Sequence, residues 1–316
     1  MVTNSQARRV SPSPFESTQL GNLSLRNRIV KAATYEGMTP GGMPSAALIE
    51  HHARLARGGV GLTTVAYCAV APDGRTFAEQ MVMERRTEGP LSELTAEVHA
   101  AGGAVSLQLG HCGFFTKNSQ LSTWLPRGPS LCRNEYGVVV GKPLALPMNE
   151  VDIQAVIDAF GGAAEGALRA GFDALEIHLG HGYLLSQFIS PASNRRRDRW
   201  GGSLSNRLRL PLAVLRRVRE VVGEGFPLIA KINLSDGFRG GLEVEEACGV
   251  ARALEDQGVG AIELSGGFTS RSALFLLRGG RPLRHMVSVE RNWLQRLALR
   301  FFGSYLIRAH PFEELF

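Results

Sequence analysis

What the 316-residue chain lacks narrows it first. Its four cysteines, Cys68, Cys112, Cys132 and Cys248, lie far apart and form no Cys-x-x-Cys pair. That argues against an iron–sulfur or zinc cluster, so no metal site is expected, and it fits a reducing cytoplasm without disulfides. No apolar run approaches the roughly 20 residues of a membrane helix, and no membrane association is expected. Met1 to Pro14 is polar and has no apolar core, which is not the pattern of a secretory signal. There is no H-E-x-x-H zinc motif, and no G-x-G-x-x-G follows the first expected strand.

The net charge is +6, with 35 Lys and Arg against 29 Asp and Glu. Much of the excess sits in Arg195, Arg196, Arg197 and Arg199 and in the tail from Arg278 to Arg308. No nucleic-acid module accompanies it, and basic charge alone speaks only to nonspecific association. These residues read as solvated helix faces and loops, with no nucleic-acid partner. Apolar content of 44% and charged content of 20% are ordinary for a globular protein and allow a sizeable core.

What the chain does have is an alternation of short apolar runs and amphipathic stretches. Strands are expected at Arg28 to Ala32, Gly59 to Cys68, Ala104 to Leu109, Asp173 to His178, Pro227 to Asn233 and Ala261 to Ser265. Helices are expected at Ala46 to Arg57, Pro90 to Ala101, Val151 to Ala170, Leu204 to Val222 and Val244 to Gln257. Asn149 is the expected N-cap of the third helix, with Asp152 in its first turn. Gly58, Gly171 and Gly258 stand where left-handed caps would end helices. A Gly- and Pro-rich insertion, 110–149, interrupts the repeat and would cap it.

Near-continuous apolar strands alternating with helices mean a parallel sheet covered on both faces. The candidates are an open doubly wound sheet and a TIM (β/α)₈ barrel. Polar residues collect where strands end: Thr34 to Glu36, Gln108 with His111, His178 with His181, Lys231 with Asn233, and Ser265. A barrel gathers its active site from several strand ends in this way. The expectation is a barrel, with six of its eight units legible in one domain.

The most informative stretch runs from Gly171 to Leu210. A strand ends at His178 and enters a loop with His181, Tyr183 and Gln187. Two imidazoles three residues apart can point into one pocket and offer N–H groups to an electron-rich oxygen. A tyrosine keeps its phenolic proton at neutral pH, its reference pKa being about 10. Such donors beside a proton source suit reduction of a polarised double bond. Either His could instead be a hydrogen-bonded loop residue. His-x-x-His could also bind zinc, but no third ligand is evident.

Gly171-Phe-Asp, Glu176-Ile-His178, His181-Gly-Tyr-Leu-Leu, Gln187-Phe, Ser190-Pro, Asn194, Arg196, Asp198, Trp200-Gly-Gly-Ser203 and Asn206-Arg207 together resemble the signature of the NADH:flavin oxidoreductase/old yellow enzyme family. The resemblance implies FMN as cofactor, NADH or NADPH as reductant, and a small-molecule acceptor such as an activated alkene or quinone. It implies that His178 and His181 hold the acceptor's oxygen and that Tyr183 delivers a proton to the carbon opposite the hydride. It places Ala32, Ala33 and Thr34 against the flavin ring, Gln108 on its pyrimidine edge, and Lys231 near its N1 and O2. Tyr35 stands where relatives often carry a Cys or Thr that tunes the flavin.

The family's phosphate-gripping loops follow strands seven and eight, and only Gly279-Gly280-Arg281 resembles them here; it reads as a turn. The tail from Arg281 resembles the family's helical excursion after strand six. One expectation is therefore a C-terminally truncated barrel with open edges and an uncovered helix (Leu294, Leu297, Phe301, Phe302, Leu306). A partner or a second copy could complete it, giving a homo-oligomer. The alternative function is a silent remnant or interaction protein with weak or no FMN binding.

Overall fold

The structure, a computed structural model, describes residues 12–272, 275, 282–290 and 293–306. Six strands form one parallel sheet: β1 (Val30–Thr34), β2 (Leu62–Ala69), β3 (Ala104–Gly110), β4 (Ala174–Leu179), β5 (Leu228–Asn233) and β6 (Ala261–Ser265). Their order in the sheet is their order in the chain. A doubly wound sheet reverses strand order at a switch point, whereas a barrel adds each strand beside the last. The sequential order is that of a barrel wall, as expected.

Nine helices are described: α1 (Ala46–Arg57), α2 (Arg85–Ala100), α3 (Glu150–Arg169), α4 (Leu184–Ile189), α5 (Leu204–Arg207), α6 (Arg209–Val222), α7 (Val244–Glu255), α8 (Leu283–Val289) and α9 (Trp293–Leu306). Every residue of β3, β4 and β5 is buried, which is why these runs read as near-continuous apolar strands. Their outer side packs against helices through residues such as Leu94, Phe160, Val214 and Val250. Toward the barrel axis they present polar groups instead, from Ser106 and Gln108 to Glu176, His178, Lys231 and Asn233. The edge strands are wetter: Val30 of β1 is 46% exposed and Leu264 of β6 is 59% exposed.

Three boundaries differ from expectation for local reasons. Helix α2 begins at Arg85 rather than at Pro90, because a capping box between Glu84 and Thr87 starts it a turn earlier. The expected helix from Leu204 to Val222 divides at Leu208. Pro211 has no N–H to give the Arg207 carbonyl, so the helical ladder is interrupted there. After α1 the left-handed residue is Gly59, at φ +97°, while Gly58 remains right-handed at φ −71°. Gly171 and Gly258 are left-handed as expected.

Segment 110–149 contains a small sheet in which Leu144–Pro147 pairs with Arg127–Gly128 and Cys132–Arg133. Its Phe114, Phe115 and Cys132 cluster with Phe268 from the loop after β6. Helices α8 and α9 match the expected helical excursion, and Leu297, Phe301 and Phe302 are exposed on α9. Gly279-Gly280-Arg281 and the side chains of Leu294 and Leu306 lie outside the described residues.

Helix α3 starts as the sequence suggests. Asn149 Oδ1 accepts from Asp152 N and Asp152 Oδ2 accepts from Asn149 N, each at 2.9 Å. Asn149→Ala should therefore cost about 1 kcal/mol, and Asn149→Asp far less. Denaturant midpoints check this; equal midpoints for wild type and Asn149→Ala would refute the capping role.

Candidate active site

Strand β4 delivers Glu176 and His178 to the barrel axis, two residues apart and on the same face. His178 is buried, and its Nδ1 accepts from Gly180 N at 3.4 Å. That leaves the ring proton on Nε2. The chain then turns at His181, whose φ of +59° is the only positive value at a non-glycine among the described residues. A left-handed histidine is uncommon and strained, so neighbours must hold it. His181 N donates to Asn233 Oδ1 at 2.9 Å, its carbonyl accepts from Thr269 N at 3.0 Å, and its Nε2 lies 2.6 Å from Ser265 Oγ. Residues from β5 and β6 thus aim a ring carried by the β4 loop.

At Gly182, φ +77°, an added Cβ would fall 2.5 Å from the Phe268 ring, so only glycine lets the loop close on it. Tyr183 then caps α4. Ring centroids of His178 and His181 are 5.1 Å apart, and those of His178 and Tyr183 are 4.6 Å apart. Tyr67 of β2 packs edge-on against Tyr183 at 5.1 Å and against His178 at 6.2 Å. Its hydroxyl donates to the Gly74 carbonyl at 2.9 Å. Tyr67 was missed in the sequence because it sits inside an apolar strand rather than at its end.

Burial lowers the pKa of His178 well below the ordinary value, helped by its neighbours His181 and Lys231. Burial, then Lys231, lowers His181 to about 4. Both rings are neutral at pH 7 and are hydrogen-bond donors without charge. Burial pushes Tyr183 up, so its phenol keeps its proton.

Beside this group lies a buried polar line. Lys231 Nζ is 2.9 Å from Glu263 and 3.6 Å from Glu176, and it donates to the Ala33 carbonyl at 3.1 Å. Gln108 Nε2 donates to Glu176 Oε1 at 2.5 Å. Burial raises the Glu176 pKa, and Lys231 opposes that rise. Gln108, Lys231 and Ala33, expected to share a site, are thus brought together. A lysine in an apolar strand signals a required anion, and the structure identifies it as Glu263 with Glu176, the latter standing in the signature without an assigned role. Lys31, by contrast, points away from this line and pairs with Glu36. Ala32 and Thr34 are exposed, and Ala32 lines an inner cavity of about 440 Å³ together with Glu176, Ile229 and Glu263.

Much of the signature is fastening. Gln187 Nε2 donates to the carbonyls of Cys112 at 2.8 Å and Gly182 at 2.7 Å, and its Oε1 accepts from Phe114 N at 3.1 Å. Asn194 Nδ2 donates to the carbonyls of Phe188 and Trp200 at 2.8 and 2.7 Å. Arg196 Nη1 reaches the carbonyls of Pro129 and Met148 at 2.9 and 2.7 Å and pairs with Asp198. Trp200 Nε1 donates to Glu150 at 2.7 Å, and Arg207 pairs with Glu246. These residues hold the β4 loop to segment 110–149 and to neighbouring helices. Among the described residues no group of His, Cys, Asp or Glu could hold a metal ion, and no helix is long and apolar enough to cross a membrane.

Residues 14–267 match the family model described as NADH:flavin oxidoreductase / NADH oxidase family. A 4,4'-dithiodibutanoate disulfide reductase from Rhodococcus erythropolis is 41% identical over 309 residues, covering 97% of this chain and 75% of that protein. The structure of morphinone reductase in complex with tetrahydroNAD superposes with a TM-score of 0.72 at 27% identity, covering 80% of this chain and 74% of that one. Old Yellow Enzyme from Pichia sp. AKU4542, at 24% identity and a TM-score of 0.72, shares the fold over 79% of this chain and 70% of that one. The fold and these matches define a flavin-dependent oxidoreductase of the TIM-barrel class. The chain belongs to the NADH:flavin oxidoreductase / NADH oxidase family. FMN is the family's cofactor and NAD(P)H its reductant.

The residues present fit the flavin ring. Small Ala32, Ala33 and Thr34 leave the mouth of β1 open, beside the amide of Gln108 and the cation of Lys231. The loops that grip a phosphate after a seventh and eighth strand have no counterpart in the six strands described.

Four histidines, three buried and His181 half-buried, sit far below their unfolded pKa of about 6.5: His52 at about 3, His111 and His181 at about 4, and His178. Depressed folded values mean that the unfolded chain binds more protons below pH 6.5. The stability they contribute is present above that pH and lost as pH falls toward 4. The Tm should be nearly flat from pH 8 to 7 and fall steeply between pH 6.5 and 4. His52→Asn should make the fall shallower; an unchanged slope would contradict the assignment of His52.

Proposed function

We propose that this protein is an FMN-dependent NAD(P)H oxidoreductase that reduces small, polarised acceptors such as activated alkenes and quinones. What carries the reading is the convergence of two neutral imidazoles and one protonated phenol at the mouth of β4, next to Gln108 and Lys231. FMN, when bound, supplies to the acceptor the hydride it takes from NAD(P)H. Gln108 and Lys231 hold the ring's polar edge, and the charge of Lys231 favours its reduced anionic form. His178 and His181 donate to the acceptor's oxygen, drawing electron density off the double bond without changing their own charge. Tyr183 gives its proton to the carbon opposite the one that receives hydride. Phe115 and Tyr67 pack around Tyr183 and keep water off its ring.

The purified protein should be yellow, or become so with FMN, and its visible flavin band should bleach with NADPH or NADH. A protein that stays colourless and inert with FMN would instead be a silent remnant. Aliphatic disulfides form a second acceptor class, favoured by the relative that is 41% identical and named for reducing one. Parallel assays with cyclohexenone, a benzoquinone and an aliphatic disulfide rank the classes.

Tyr183→Phe should slow reoxidation of the flavin by cyclohexenone about 100-fold or more, while its reduction by NAD(P)H changes less than about threefold. Stopped-flow measurement of the two half-reactions separates these effects. Equal loss in both would remove Tyr183 from the proton-donor role.

A further inference from the structure

A second cavity, of about 480 Å³, lies among the loops that surround the candidate active site. Its wall is shared by three segments: Phe114, Leu131, Cys132, Arg133, Glu135 and Leu144 from 110–149, Arg195 from the loop after α4, and Arg271 from the loop after β6. That size lies within the range of small-molecule pockets. Three arginines and one glutamate line it, all four of them exposed, and none makes an ion pair among the described residues. Elsewhere on this molecule Arg169, Arg196, Arg199 and Arg207 all find acidic partners. Three arginines around one cavity, with only Glu135 against them, make a positive wall that an anion complements.

Two of the three are held in place. Arg195 Nη2 donates to the Leu131 carbonyl at 2.6 Å, and its backbone N donates to Ser130 Oγ at 2.9 Å. The Arg271 guanidinium lies over the Phe238 ring, 5.1 Å from its centroid. Both bear on Cys132 from different loops, each pulling its thiol pKa down against burial. The cavity adjoins the loops of the candidate active site at Phe114. Phe114 lines the cavity and stacks on Phe268 at 6.2 Å, and Phe268 pairs with His181 along the backbone.

We propose that Arg133, Arg195 and Arg271 form an oxyanion-binding subsite that holds the anionic end of a molecule whose other end reaches His178, His181 and Tyr183. The proposal rests on the oxidoreductase reading for its account of what that molecule does. Two sources share the chemistry: the diphosphate of NAD(P)H and the carboxylate of an acidic acceptor. Planar guanidinium groups grip either one in bidentate fashion.

Calorimetric titration of the full chain with inorganic pyrophosphate and, separately, with glutarate reads the subsite without any turnover. One of the two should bind with a stoichiometry of one, and Arg195→Gln/Arg271→Gln should weaken it at least about tenfold. Arg133→Gln should weaken it by a smaller factor; since the exposed Arg133 side chain makes no hydrogen bond or ion pair among the described residues, its loss leaves the fold intact. Preference for pyrophosphate assigns the site to the reductant, and preference for glutarate to an acidic acceptor. In the active enzyme the same variants should raise KM for that molecule about tenfold, with the KM of neutral cyclohexenone unchanged. Absence of binding by wild type, or equal binding by all the variants, overturns the subsite. Anion binding by a protein that stays colourless with FMN would leave the subsite standing and remove the oxidoreductase reading.

Discussion

A buried ammonium governs this structure. Lys231 is 3% exposed in the middle of an apolar strand, where an unpaired charge would be prohibitive. Carried on β5, it is compensated from three other strands: Glu263 on β6, Glu176 on β4 and the Ala33 carbonyl on β1. Satisfying one cation therefore fixes how far the sheet must curl for β1 to meet β5. It also orders Gln108 through their shared partner Glu176.

His181 is the second constraint, and it depends on the first. Its left-handed backbone is tolerated because Asn233 and Ser265, at the ends of β5 and β6, hold its N–H and its ring. Those strand ends are in register with Lys231 and Glu263, two residues earlier on each strand. Placement of the charge pair and aim of the imidazole are thus one geometric fact. Burial keeps both imidazoles neutral and the phenol protonated, so the site presents N–H and O–H donors with no net charge of its own.

Strand and helix identities are legible because buried parallel strands are apolar along most of their length and helix caps are local. Asn149 with Asp152 shows the latter, and Ala261–Ser265 was read to the residue. The α2 start was misread because a prolyl residue inside a helix looks like a helix start. The triplet His178, His181 and Tyr183 was legible because it lies within six residues. Tyr67, Glu176 and Glu263 were not, since their roles arise from neighbours on other strands, and spacing along the chain carries no such signal. The signature around Asn194, Arg196 and Trp200 identified the family without revealing that these side chains serve as fasteners.

Gln187 has an implication for how such a protein can diversify. Its amide clamps Cys112, Phe114 and Gly182 together, joining the first residues of segment 110–149 to the turn that carries Tyr183. Residues from about 117 onward are outside that clamp. Arg195 and Arg196 hold Ser130, Pro129 and Met148 to the β4 loop, but the turn from Val138 to Gly141 between those anchors is largely exposed and can be lengthened, shortened or exchanged while the reacting groups keep their positions.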